Sequence, residues 1–79
     1  MSKYLITYQL HNENDYSGIH NAIKKIGGKK VIKSVYNLTL KNSNCIEIYN
    51  NLKDFIDESS GDEIIIVEYI NFKQSKKNK

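Results

Sequence analysis

Residues 3–10 alternate strictly between two kinds of position. Tyr4, Ile6, Tyr8 and Leu10 fall on one side of an extended chain, and Leu5, Thr7 and Gln9 fall on the other. A strand with one wholly apolar face must rest that face on a second layer. The next periodic segment supplies such a layer. Tyr16, Ile19, Ile23 and Ile26 recur at spacings of three and four, the stripe of an amphipathic helix. Asp15 is placed to cap its start, and Gly27-Gly28 to stop it through a left-handed turn. Lys24 and Lys25 fall in the last turn, where the helix dipole favours cations. Between strand and helix, His11 to Asp15 reads as a polar loop.

Residues 29–40 are β-rich, and Lys33-Ser34 breaks them into two short strands, 29–33 and 35–40. A second helix is expected over residues 44–57. Asn44 with Glu47 resembles a capping box, and Ile48, Leu52, Phe55 and Ile56 supply the buried face. Residues 58–62 are a turn. Residues 63–70 are the most apolar strand, and the run Ile64-Ile-Ile-Val67 suggests a central strand covered on both sides. The order β-α-β-β-α-β is the ferredoxin-like α+β arrangement, an antiparallel sheet with both helices on one face. A β-α-β-α-β reading with 29–40 as one strand competes with it. Right-handed crossovers set the first and last strands side by side in both. Residues 1–70 then form a single domain, and residues 71–79 a lysine-rich tail, disordered or pairing at an edge.

A chain of 79 residues builds a single core, and association would bury more surface. Its one cysteine, Cys45, excludes an internal disulfide and a thiolate-rich metal site and suits a reducing, cytoplasmic setting. No signal-peptide pattern is expected in the first ten residues, and no apolar run is long enough to cross a bilayer. All twelve basic residues are lysine. Residues 1–70 carry eight lysines against nine carboxylates, so the +3 net charge resides in the tail. Lysine meets phosphate as a point charge, without the planar fork that reads guanine.

Three stretches together resemble a known family: Tyr4-Leu-Ile-Thr-Tyr-Gln-Leu10, Val31-Ile-Lys-Ser-Val-Tyr36 and Asp62-Glu-Ile-Ile-Ile-Val-Glu68. In order and spacing they are similar to the small CRISPR adaptation endonuclease-like (Cas2-like) proteins and their SinR-like and VapD-type relatives, over roughly residues 3–70. The resemblance implies a ferredoxin-like homodimer with the two sheets facing each other, often completed by a C-terminal segment that crosses to the partner. In nuclease members the first strand ends in Tyr-Asp, and the two aspartates of the dimer share a divalent metal. Here that position reads Tyr8-Gln9. Magnesium requires anionic oxygens, and an amide cannot act as a general base. The resemblance therefore implies a catalytically silent or weakened homodimer that binds nucleic acid or a protein partner.

Two alternatives stay open. One is a metal-dependent nuclease or toxin-like ribonuclease, using Mg2+ or Mn2+, in which Gln9, His11, Glu13 or Asp15 stands in for the missing aspartate. The other is a phage or mobile-element accessory protein that acts on a host or defence-system protein. For DNA or RNA the candidate contacts are Lys24, Lys25, Lys29, Lys30 and Lys33, which cluster in sequence around the end of the first helix. They equally suit helix-end charge and a lysine-guarded edge strand. His20 is expected beside the apolar stripe, in a surface or partly buried structural role. The tyrosines fit a dimer interface with buried rings better than a base-stacking platform, since no aromatic-and-basic RNA-binding motif accompanies them.

Overall fold

A computed structural model describes residues 1–11 and 16–75. Strand β1 (Ser2–Gln9) leads to helix α1 (Tyr16–Lys25), strands β2 (Lys29–Ile32) and β3 (Val35–Leu40), helix α2 (Cys45–Leu52) and strand β4 (Glu63–Tyr69). The four strands form one sheet in the order β2-β3-β1-β4, antiparallel at every pairing. This is the ferredoxin-like α+β arrangement expected from the sequence.

The alternation in β1 determines how the layers meet. Tyr4, Ile6 and Tyr8 are buried with Tyr36 and Leu38 of β3 beneath Ile19 and Ile23 of α1 and Ile48 and Leu52 of α2. Helix α1 ends as the glycine pair requires. Gly27 takes φ 103°, its N–H donates to Lys24 O (3.0 Å), and the Gly28 N–H donates to Ile23 O (2.9 Å). That pair of bonds is the Schellman motif. The Asn44 side chain caps α2 by accepting from the Glu47 N–H at 2.9 Å.

Three expectations need correction. First, α2 ends at Leu52 and not near Asp57; a 3-10 turn follows over Lys53–Phe55, and Ile56 is extended. Leaving the helix there frees the Asp57 carboxylate to accept from Ser59 Oγ and Ser60 Oγ, both at 2.6 Å, around the next 3-10 turn, Glu58–Ser60. Second, β4 is an edge strand. Ile64 and Ile66 pack toward the core, while Ile65 (59 % exposed) and Val67 (44 %) lie on the uncovered face. Its four-residue apolar run therefore serves one covered face and one open face. Third, Tyr4, Tyr8 and Tyr36 are core residues beneath the helices, where an interface position was expected.

The expected tail begins at residue 71, and only 71–75 are described, without regular structure. Phe72 meets the Tyr69 ring edge-on, with centroids 5.1 Å apart. Gln74 Nε2 then donates to the Val31 carbonyl at 3.3 Å. The segment thus reaches from the β4 side to β2, the opposite edge strand. Val31 sits at an irregularity in the β2–β3 ladder, between Lys30 and Ile32.

Candidate nucleic-acid interface

Strand pleat divides the sheet into two chemically different faces. Directly opposed residues share a face. Gln9 opposes Glu63, Thr7 opposes Ile65 and Val35, and Leu5 opposes Val67 and Asn37. With Ile32, which opposes Val35 and is 55 % exposed, they form an open face that is apolar in the middle and polar at the Gln9 end.

Gln9 is exposed, with Glu63 across the ladder. His11 is also exposed, and its backbone N–H donates to Asp62 Oδ1 at 2.6 Å. The other oxygen of Asp62 accepts from the Asp57 N–H at 2.9 Å, so this carboxylate ties the end of β1 to the loop before β4. Glu13 and Asp15, with the cap expected of Asp15, lie outside the described residues. Among the described residues no three His, Cys, Asp or Glu side chains come together as a metal site. Among the described residues, a divalent ion at the end of β1 would meet the neutral Gln9 amide and, directly across the ladder, the carboxylate of Glu63. That donor set is poor in charge for magnesium. A groove of about 400 Å³ between the start of α1 and the loop before β4 contains Asp54, Asp57 and Asp62. The last two are already engaged in hydrogen bonds, and the Ser59 and Ser60 hydroxyls hold Asp57 below the usual carboxylate range.

All five candidate lysines are exposed. Lys24 and Lys25 close α1, Lys29 and Lys30 lie on β2, and Lys33 follows it. The pleat splits them. Lys29 opposes Asn37 and shares the open face, whereas Lys30 opposes Tyr36 and shares the helix side. The corner between α1 and β2 thus carries cations toward both layers.

Beneath this corner lies His20, partly buried as expected, within a group of aromatic rings that sequence reasoning did not foresee. The half-buried His20 ring stacks on Tyr16, with centroids 5.8 Å apart and planes 5° apart. It also meets Tyr8 at 5.6 Å and Tyr36 at 5.8 Å. Burial first, then the charges of Lys30 and Lys24, hold the imidazole below its ordinary pKa. The Tyr8 hydroxyl is buried and has no hydrogen-bond partner. Burial, with Tyr36 beside it, pushes the Tyr8 phenol well above the usual tyrosine range. The signal available in the sequence was the spacing Tyr16–His20–Lys24, one helical turn at each step. The β1 and β3 members of the group become neighbours only on folding.

No helix among the described residues is long and apolar enough to cross a membrane. No curated protein sequence matches the chain. The family model described as CRISPR associated protein Cas2 matches residues 1–77, nearly the whole length. The sheet order and both helices on one face fit the fold expected of that family, while the β1 strand departs from its nuclease members by ending in Tyr8-Gln9. The chain belongs to the Cas2 family of CRISPR-associated proteins.

Proposed function

We propose that this Cas2-family chain pairs with a second copy through its open sheet face and holds nucleic acid at the lysine-bearing α1–β2 corner, without metal chemistry at Gln9. The observation that carries the binding half is the placement of Lys24, Lys25, Lys29, Lys30 and Lys33, all exposed on two adjoining elements. Two copies facing each other would present two such corners to one duplex. Point-charge contacts of this kind neutralise backbone phosphates and read little sequence.

The test is a gel shift of duplex DNA and RNA across a salt series. Binding should weaken steadily with salt, and replacing Lys24, Lys25, Lys29 and Lys30 with Glu should abolish it. Absence of binding at low salt overturns the nucleic-acid reading. Recovery of one host or phage protein in stoichiometric amount would then favour the protein-partner alternative.

One observation favours the nuclease alternative. Glu63 lies directly across from Gln9, so face-to-face pairing would gather two carboxylates with two amides. Labelled RNA and DNA incubated with magnesium or manganese should remain intact. Chelator-sensitive cleavage that disappears in Glu63→Gln would reverse this reading.

A further inference from the structure

We infer that His20, Lys24 and Lys30 form one phosphate-binding triad at the α1–β2 corner, in which His20 takes up a proton as the phosphate binds. The inference rests on the nucleic-acid reading above and deepens it by naming the contact. Three placements carry it. Lys24 follows His20 by one helical turn, so the two side chains lie on the same face of α1. Lys30 opposes Tyr36 on the helix side of the sheet, and the Tyr36 ring lies 5.8 Å from the His20 ring. The imidazole itself is held by rings from three elements, Tyr8 of β1, Tyr16 of α1 and Tyr36 of β3. A solvated helix histidine would have no such cage.

The electrostatics of the free corner oppose a charge on His20. Among the described residues, the titratable and charged groups around it are the three phenols, Lys24 from its own helix and Lys30 from β2, and both lysines disfavour imidazolium. A phosphodiester between the two ammonium groups reverses that field. It cancels the repulsion and adds an anion that favours the protonated ring. The phosphodiester stays ionised at these pH values, so the proton taken up resides on His20. Binding at this corner is therefore linked to protonation, and it strengthens as pH falls toward the ordinary histidine range. Lys29, on the other face of the sheet, contributes no such linkage.

The experiment is a proton NMR titration of the two histidines, free and saturated with a mixed-sequence DNA duplex at low salt, with binding measured in parallel between about pH 8 and 5.5. The His20 pKa should rise in the complex, and each unit of rise gives about tenfold tighter binding at low pH. In the free protein, Lys30→Gln should raise the His20 pKa, because the Lys30 charge helps hold it down; an unmoved His20 would mean that the two groups do not adjoin and would overturn the triad. His20→Gln should bind the duplex with a flat pH profile at unchanged fold, checked by its amide spectrum. Duplex binding with an unmoved His20 titration overturns the triad and leaves the nucleic-acid reading standing. So does a His20→Gln variant that keeps the wild-type pH slope. Absence of any duplex binding overturns both.

Discussion

Removing one oxygen atom at Tyr8 should make the protein more stable. The Tyr8 ring is 4 % exposed and packs on Tyr16, Tyr36 and His20, so Tyr8→Phe keeps the aromatic contacts. What it removes is a buried hydroxyl without a hydrogen-bond partner. The Tyr36 hydroxyl is close enough to help keep Tyr8 protonated, yet no bond of acceptable geometry joins the two. Such an unsatisfied group costs about 1–3 kcal/mol on folding. Relief of about 1 kcal/mol would raise the Tm of a domain this size by roughly 4–8 °C. The control lies four residues earlier on the same strand face. Tyr4 Oη donates to the Ser43 carbonyl at 2.7 Å, so Tyr4→Phe loses a made bond and should cost about 0.5–1.5 kcal/mol. The same chemical change therefore has opposite signs at two sites. Urea denaturation at one fixed protein concentration reads both, since self-association would shift apparent stability with concentration. A Tyr8→Phe variant destabilised as much as Tyr4→Phe would refute the reasoning, because it would mean that the hydroxyl is satisfied in solution.

Three further outcomes are expected. Gly28→Ala should destabilise by about 1–3 kcal/mol in the same urea assay, since the added Cβ would stand 2.4 Å from Ile23 Cγ2 and 3.0 Å from the Ile23 carbonyl. Gly61→Ala, with nothing within 4 Å, should cost only the strain of its positive φ. Ile65→Asp, on the open face, should leave the monomer folded and shift the mass measured by light scattering toward a single copy. Stability should also fall as pH drops below about 6.5, because the unfolded chain then protonates His20 more readily than the folded one, and should level off below the folded pKa. His20→Gln should flatten that step in a pH series of urea midpoints. A separate step below about pH 4, which belongs to Asp57 and its two serines, should survive the substitution.

Most of the fold was legible because each element carries its own signal. The stripe of Tyr16, Ile19, Ile23 and Ile26 gave α1, Gly27-Gly28 gave its stop, and Asn44 with Glu47 gave the start of α2. The end of α2 was not legible. Phe55 and Ile56 continue a helical pattern, and the competing demand comes from Asp57, whose partners lie further along the chain. The position of β4 was misread for a related reason. An apolar run indicates that both faces seek cover without indicating whether the cover belongs to the same chain. At the candidate interface the five lysines were visible as a group. Their division between the two sides of the sheet follows from β2–β3 register, which composition does not encode. His20 drew no functional reading because its cage is assembled from β1, α1 and β3.

The route of residues 71–75 has an electrical consequence. By reaching back to the Val31 carbonyl, Gln74 carries its neighbour Lys73 toward the edge that already bears Lys29, Lys30 and Lys33. The opposite edge strand presents exposed Glu63 and Glu68. Among the described residues the two edges of the sheet thus differ in charge, with lysines along β2 and carboxylates on β4. A polyanion approaching such a molecule turns it before touching it, so that the β2 edge leads. For the proposed nucleic-acid partner, the charge of the two edges would orient the encounter before any contact forms.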